Sequence, residues 1–475
     1  MSHEILRHLP SVGQLLEDPR ITPLLTDAAR AWVTRLVQRE VESERERLLG
    51  GLAGTTVERN ELRERLTHRV VERHQELLGQ AMRRVINATG IVVHTNLGRS
   101  LYPERAVAWM GDVARWNCDL EMDLVAGRRG HRGRKVEEKV ALLAGGDDAL
   151  IVNNNAAALW LAVRTCADGG RVLLSRGEVV AIGGSFRLHE IVAEAGCELV
   201  EVGTTNRTTL DDYARALTPG AVVLKVHRSN FEMTGFTETV DLADLAALCR
   251  ERDHTLIYDA GSGLLERVER FGLPPERTLA DDLAAGVDLV TCSGDKLFGG
   301  GQAGFAIGRT DLVGAMRAHP MRRTFRVDKT TLAAVDGVLS HYLAGDHLEA
   351  VPTLKHLDRS LADLETLATE LGAGLAVDLP PEWSWTIMDG ESQVGGGAGA
   401  ALIVPSKLLH WRGPADELER CHKLLRSGDP AVVARISQEG LALDPRAVAD
   451  GEFDLLAAAV RTAWLALETG RREEA

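Results

Sequence analysis

Short apolar runs alternate with helical segments from about residue 86 onwards, and this alternation constrains the fold more than any other feature of the chain. The runs are rich in β-branched residues and read ALIVNNN, RVLLS, CELVEVG, AVVLKV, TLIYDAG and DLVTCS. Strands separated by helices are typical of parallel sheets, because parallel neighbours need a long crossover connection. The sequence therefore predicts an α/β fold with a mostly parallel central sheet and helices on both faces.

The pattern of apolar residues changes twice along the chain and predicts three domains. Residues 1–85 show helical spacing without strand-like alternation, and residues 86–340 carry the predicted sheet. Residues 341–475 become mainly helical again, with a glycine-rich insertion and a final amphipathic helix. We therefore expect an N-terminal helical domain, a large catalytic α/β domain and a smaller C-terminal α/β domain.

Composition and charge exclude several classes of protein. The net charge of −14 over 475 residues argues against indiscriminate nucleic-acid binding. Residues 1–85 are nearly neutral, with 14 Lys and Arg against 13 Asp and Glu, so a nucleic-acid contact is expected there or in local patches elsewhere. The start of the chain lacks the apolar stretch of a signal peptide, no later stretch is suited to span a membrane, and the six cysteines are scattered. We expect a cytoplasmic protein without disulfides or a metal site.

Arginines recur at helical spacing near the end of the first domain. Arg65, Arg69 and Arg73 share one face of a predicted helix and line up three guanidinium groups. On spacing alone, the more ordinary interpretation is a solvated face with Glu61 and Glu72 as partners.

The segment DLVTCSGDKLFGGGQAGFAIG places Ser293, Asp295 and Lys296 in a turn between two apolar strands. A lysine in such a turn has little access to bulk water. Desolvation lowers its pKa and favours the neutral amine, which can form a Schiff base. The alternative is a buried lysine that pairs with a carboxylate for structural reasons.

A second motif, LIYDAGSG, ends a predicted strand and contains Asp259. A carboxylate at this place can keep the pyridine nitrogen of pyridoxal 5′-phosphate (PLP) protonated, which the cofactor requires to act as an electron sink. An aspartate that caps the following helix is the alternative. The order of the two motifs favours a PLP site more strongly than either motif alone.

The third motif, IVNNNAAALWLAV, is a strand that ends in asparagines and runs into an alanine-rich helix. Small residues at a helix start let backbone N–H groups approach a phosphate, so Asn154, Asn155 and Ala156 are the predicted phosphate-binding residues. An ordinary asparagine N-cap is the alternative. The motif GGGQAG at residues 299–304 precedes a strand and not a helix, so no dinucleotide site is expected.

Nine blocks between about residues 85 and 400 together resemble the bacterial selenocysteine synthase family. They are VINATGIVVHTNLGRS, VNNNAAAL, SRGEVVAIGGSFR, EVGTTNRT, KVHRSNFEMTGFT, DAGSG, SGDKLFGGGQAG, HPMRRTFRVDKTTLAA and ESQVGGG. The N-terminal LPSV and the helical region after it resemble the tRNA-binding domain of that family. The resemblance implies a fold-type-I PLP-dependent transferase that converts L-seryl-tRNA(Sec) to L-selenocysteinyl-tRNA(Sec) through an aminoacrylyl intermediate.

The resemblance also implies roles for single residues. Lys296 is expected to form the Schiff base, with Asp295 beside it in the same turn. Arg99, Arg323 and Arg326 match arginines around the selenium donor, which is expected to be selenophosphate. With the motifs above, the expected cofactor-binding residues beside Lys296 are Asp259, Asn154, Asn155, Ala156, Asn230, Ser293, Thr204 and Thr205. The implied partners are selenocysteine tRNA and further copies of the chain in a ring of dimers, a decamer.

Two departures from the family pattern and two alternative functions stay open at this point. Gly301 stands where the family commonly has proline, and Ala398 and Gly399 replace a Leu-Pro-like turn. Neither departure removes a reactive group.

The alternative functions are another fold-type-I PLP lyase or aldolase acting on a small amino acid or amino sugar, and an inert tRNA-binding scaffold. The lyases need no N-terminal helical domain, and the scaffold would be colourless.

Overall fold

The computed structural model describes residues 6–26, 29–51, 58–182, 186–229, 231–380, 382–397, 402–437 and 440–474. The chain divides into two compact units, Met1–Arg84 and Val85–Ala475. The predicted boundary at residue 340 falls inside the helix Lys329–Ala344, within the second unit. The separation of a C-terminal domain at that position stays a prediction.

The first unit is helical in its described residues. Its α-helices are Val12–Leu16, Arg30–Gly51 and Arg59–Leu78. Val33, Val37 and Val41 line one face of the second helix and pack with Leu66 and Val70 of the third. The spacing of three and four residues in both helices explains this small core.

The row of arginines on the third helix joins it to the second. Arg65 and Arg69 donate hydrogen bonds to the fully buried carboxylate of Glu44, and Arg69 also binds Glu40. Arg73 pairs with Glu76. The predicted pairing with Glu61 and Glu72 is therefore wrong. Sequence spacing identified the face of the helix but could not show that another helix packs against it.

The second unit contains the sheets. Its strands are β1 (Val85–Asn87), β2 (Ile91–Val93), β3 (Met122–Asp123), β4 (Arg128–Arg129), β5 (Asp148–Val152), β6 (Arg171–Ser175), β7 (Ala181–Ile182), β8 (Phe186–Arg187), β9 (Glu198–Val202), β10 (Val222–Val226), β11 (Leu256–Gly261), β12 (Leu289–Ser293), β13 (Gly304–Gly308), β14 (Ser384–Gly395), β15 (Ile403–Arg412), β16 (Ala431–Val433), β17 (Arg435–Ser437) and β18 (Gly440–Leu443).

The α-helices of the second unit lie between these strands and after them. They are Glu104–Arg115, Arg134–Ala144, Asn155–Ala167, Leu188–Glu194, Leu210–Ala216, Leu242–Glu251, Leu279–Ala284, Thr310–Ala318, Lys329–Ala344, His347–Ala350, Pro352–Asp358, Leu361–Leu375, Ala415–Ser427 and Phe453–Glu474. Among the helices of the described residues, none combines the length and apolarity that crossing a bilayer requires.

The central sheet has seven strands in the order β5-β13-β12-β11-β10-β6-β9. Only β13 runs antiparallel to its neighbours, so the predicted mostly parallel sheet is confirmed. The six apolar runs of the sequence are β5, β6, β9, β10, β11 and β12. Successive residues of one strand enter different cores: Leu173 packs on one face of the sheet, whereas Val172 and Leu174 pack on the other. Burial on both faces explains why the inner strands are largely apolar, whereas β9 at the edge of the sheet has exposed Glu198 and Glu201.

A second sheet of five strands has the order β17-β18-β15-β14-β2. β2 comes from the start of the unit and pairs in parallel with the end of β14, where Gln393 lies opposite Ile91 and Gly395 opposite Val93. The long strands β14 and β15 were not located from the sequence, because most of β14 is exposed or half-buried and contains Gly390, and Pro405 interrupts β15. This pairing brings the chain after β2 close to the glycine-rich turn after β14.

Candidate active site

The candidate site lies at the carboxyl ends of β5, β11 and β12, where a mostly parallel sheet binds its ligands. β12 ends at Ser293 and leads through Gly294 into Asp295 and Lys296. β11 carries Asp259 directly opposite Thr291 of β12. Lys296 is 6% exposed and Asp259 3% exposed, so both charged groups lie in the interior.

Lys296 is shielded from solvent and has one hydrogen-bond acceptor for its amine among the described residues. Its Nζ donates to the carbonyl oxygen of Gly397 at 2.8 Å, in the turn after β14. Burial lowers the pKa of Lys296, and the carboxylates of Asp259 and Asp295 reverse part of this effect. The amine therefore releases its proton more readily than a surface lysine does.

Asp259 is held by two side chains. Its Oδ1 accepts hydrogen bonds from Asn155 Nδ2 at 2.8 Å and from Thr291 Oγ1 at 3.1 Å. Burial raises the pKa of Asp259, whereas the bond from Asn155 and the charge of Lys296 lower it. Oδ1 of Asn155 is buried without a hydrogen-bond partner in the described part of the chain. A buried polar atom without a partner is unfavourable, and it marks a place where a polar ligand fits.

The three asparagines after β5 have different environments. Asn154 caps the helix Asn155–Ala167, because its Oδ1 accepts from the amide of Ala157 at 2.8 Å. Asn155 binds Asp259 through its side chain, as described above. The amides of Asn155 and Ala156 lie in the first turn and have no intrahelical acceptor, so they are available to an anion. The cap predicted as the alternative exists at Asn154, and the amides next to it remain candidates for phosphate.

Gly304 allows a close approach between β13 and this helix start. A Cβ atom at position 304 would lie 2.0 Å from the carbonyl oxygen of Asn154. The close packing of β13 against this helix start therefore requires a glycine at position 304.

The turn that carries Lys296 is fixed by the segment after β2. Ser100 Oγ donates to the carbonyl oxygens of Lys296 at 2.7 Å and Asp295 at 3.0 Å. Arg99 forms an ion pair with Asp295 at 2.6 Å and has a φ of 65°, which is unusual for a residue other than glycine. Sequence reasoning named Arg99 and Asp295 but missed Ser100 and the carbonyl of Gly397. In the sequence, only the position of Ser100 in the family block TNLGRS, next to Arg99, pointed to a place at this site.

His227 also reaches this site. It follows β10, and its amide donates to the carbonyl oxygen of Asp259 at 2.9 Å. Burial and the nearby charge of Lys296 lower the pKa of the His227 imidazole. The ring is therefore neutral near pH 7, and its Nε2 lies 3.4 Å from Glu276.

Arg323 and Arg326 lie beside the end of β5. The amide of Asn153 donates to the carbonyl oxygen of Phe325 at 2.9 Å, which joins their segment to the strand. Arg326 contacts Glu121 at 3.1 Å, whereas Arg323 is exposed and makes no ion pair within the described residues.

Two other predicted residues do not join this group within one chain. Thr204 and Thr205 are exposed in the turn after β9, at the far edge of the sheet. β10 and β6 lie between β9 and β11, so this turn is about 14 Å from β11 at the usual strand spacing. Asn230 lies outside the described residues, as do Ala398 and Gly399. Gly301 faces Tyr102, whose hydroxyl oxygen would lie 2.7 Å from a Cβ atom there.

The fold and the site together define a class of enzyme. The sheet, its buried lysine turn and the aspartate on the neighbouring strand have the architecture of the fold-type-I class of PLP-dependent enzymes. The solved structure of a D-glucosaminate-6-phosphate ammonia-lyase shares this fold, with a TM-score of 0.57 at 22% sequence identity. The match covers 82% of this chain and 97% of that chain.

Sequence relatives define the family. The family model described as L-seryl-tRNA selenium transferase matches residues 85–449, and a model described as selenocysteine synthase N terminal matches residues 6–45. The L-seryl-tRNA(Sec) selenium transferase of Carboxydothermus hydrogenoformans is 39% identical and covers 95% of this chain and 96% of its own length. That of Rhizobium meliloti is 40% identical, over 94% of this chain and 95% of its own. The chain belongs to the L-seryl-tRNA selenium transferase family.

Proposed function

We propose that this chain converts L-seryl-tRNA(Sec) to L-selenocysteinyl-tRNA(Sec), with PLP as cofactor and selenophosphate as selenium donor. The observation that carries the proposal is the buried amine of Lys296 beside the buried carboxylate of Asp259 in a chain of this family. The lyase, aldolase and scaffold alternatives are not favoured, because the relatives that match nearly the whole chain are selenium transferases.

The residues present fit the cofactor. Lys296 would hold it through the side-chain amine, Asp259 would face the ring nitrogen, and the amides of Asn155 and Ala156 would face the phosphate. The unpartnered Oδ1 of Asn155 supports a polar ligand at this place. PLP, when bound, supplies an electron sink for the charge that develops at the serine Cα. Ser293 ends β12 beside this group. Contacts of Thr204, Thr205 and Asn230 with the cofactor stay predictions, because the two threonines lie at the far edge of the sheet within one chain and Asn230 lies outside the described residues.

Lys296 is the proposed base of the reaction. Burial favours its neutral form, so that Nζ can take the proton from the serine Cα. Once it is free, the amine has an acceptor in the carbonyl of Gly397, 2.8 Å away. The carboxylate of Asp259 would hold a proton on the ring nitrogen of bound PLP, and Asn155 and Thr291 fix the orientation of this carboxylate.

Arg99, Arg323 and Arg326 are the proposed ligands of the phosphate-like part of selenophosphate. Guanidinium groups bind such oxyanions through paired hydrogen bonds. Arg99 is fixed next to Lys296 by its ion pair with Asp295, which supports a role near the reacting carbon.

The first unit is proposed to bind the tRNA, and the enzyme is proposed to work as a ring of dimers in the cytoplasm. The near balance of charge in residues 1–85 supports this, because the rest of the chain is strongly acidic and repels a polyanion. The match of residues 6–45 to a selenocysteine synthase N-terminal model supports it as well.

The function is tested by incubating the purified protein with PLP, seryl-tRNA(Sec) and selenophosphate. Analysis of the amino acid released from the tRNA is expected to find selenocysteine. A chain that starts at residue 85 is expected to bind PLP, because Val85–Ala475 is a compact unit, but to lose at least about 100-fold in kcat/KM for seryl-tRNA. Full activity of the shortened chain would contradict the tRNA assignment, and release of serine alone by the full chain would contradict the function.

A further inference from the structure

Several arginines surround one carboxylate beside the candidate site. Glu121 accepts hydrogen bonds from Arg129 at 2.8 Å, from Arg132 at 3.1 Å and from Arg326 at 3.1 Å. Its side chain is 27% exposed. The pKa of Glu121 is lowered, and the hydrogen bond from Arg132 is the largest cause. Glu121 is therefore an anion at neutral pH.

This arginine cluster lies at the ligand edge of the sheet. Arg326 follows Phe325, whose carbonyl is bound to the amide of Asn153 at the end of β5. Arg132 donates separately to the carbonyl of Val327 at 2.6 Å. The main chain of residues 325–327 and the side chain of Arg132 are therefore held without help from Glu121, which leaves the carboxylate free to be replaced.

The positive charge of the cluster exceeds what Glu121 neutralises. Three guanidinium groups share its two oxygens. A fourth, that of Arg322, lies 3.9 Å from Glu137. Burial and the charge of Arg317 lower the pKa of Arg322, and the charges of Arg326 and Arg132 lower it further. Nε of Arg132 and Nε of Arg322 are buried without an acceptor among the described residues. A tetrahedral oxyanion offers more acceptors than one carboxylate and would suit this excess of donors.

We propose that Glu121 occupies, in the ligand-free enzyme, the place of an oxyanion among these arginines, and that the phosphate group of the selenium donor displaces it from Arg326 and Arg132. The inference rests on the proposed function and adds a residue that sets oxyanion affinity. Because the carboxylate competes equally with donor and with inorganic phosphate, it favours release of the phosphate that remains after selenium transfer.

The test replaces Glu121 by glutamine in the holoenzyme, which removes the charge and keeps the shape. Titration calorimetry with inorganic phosphate at constant ionic strength should show a dissociation constant lowered by about tenfold. Inhibition of selenium transfer by added phosphate should become stronger in the same proportion. Glu121→Asp keeps the charge and should stay within about threefold of the wild type.

Asp378→Asn is the matched control, because it breaks a surface ion pair with Arg461 and changes the net charge equally. Phosphate affinity should not change in this variant. In an Arg326→Ala background, Glu121→Gln should tighten phosphate less than in the wild type.

Phosphate binding that is unchanged or weaker in Glu121→Gln would overturn the inference, since the carboxylate would then brace the arginines and not compete. Absence of phosphate binding in both proteins would overturn it as well. These results are distinct from failure of the proposed function, which is judged by selenocysteine formation in the wild type.

Discussion

Replacement of Lys296 by alanine is expected to remove selenium transfer and the visible absorbance of the bound cofactor together. The variant loses the amine that is proposed to hold the cofactor and to move the proton at the serine Cα. A positioned base alone contributes about 10²–10⁴-fold, so turnover should fall by at least that factor. Steady-state kinetics and absorbance spectra of the purified variant provide the measurement.

Lys423→Ala is the matched control, because Lys423 is exposed on the helix Ala415–Ser427 and should be dispensable. Borohydride reduction of the wild type followed by peptide mapping should label Lys296. A label on another lysine, or a Lys296→Ala protein that keeps its colour and its turnover, would contradict the assignment.

Replacement of Asp259 by asparagine is expected to lower kcat by about 10²–10⁴-fold while the protein stays folded. The amide has the shape of the carboxylate but could not hold a proton on the ring nitrogen of PLP, which is the role proposed for Asp259. Burial raises the pKa of Asp259, which means that its charge is unfavourable in the folded protein. The neutral amide should therefore leave the thermal stability unchanged or higher, and a loss of activity without a loss of stability separates catalysis from folding.

Asp282→Asn is the control for this variant. Asp282 is another buried carboxyl, whose pKa burial raises to about 7, and it lies in the helix Leu279–Ala284 near Arg277. Turnover should be retained there. Equal losses of activity in the two variants, or a normal rate in Asp259→Asn, would argue against a special role of Asp259.

The sequence by itself determined the sheet and the residues of its lysine turn. The six predicted runs became strands of one sheet, because burial on both faces requires the inner strands to be largely apolar, a local signal that tertiary packing does not change. Lys296 and Asp259 were named from strand ends, because the carboxyl ends of parallel strands converge in space. β14 and β15 were missed because both have exposed positions and interrupted apolar patterns, by Gly390 in β14 and by Pro405 in β15.

Only the tertiary structure decided which side chains meet. It joined Asn155 to Asp259, Ser100 to the lysine turn and Glu121 to Arg326, contacts between residues 104, 196 and 205 positions apart. In the folded protein Arg65 and Arg69 bind the buried Glu44 of a neighbouring helix. Thr204 lies far from Lys296 within one chain, because β9 is at the far edge of the sheet. The periodicity of a sequence fixes which face of an element is apolar, but the partner of a polar group depends on the packing of distant segments, which no local pattern contains.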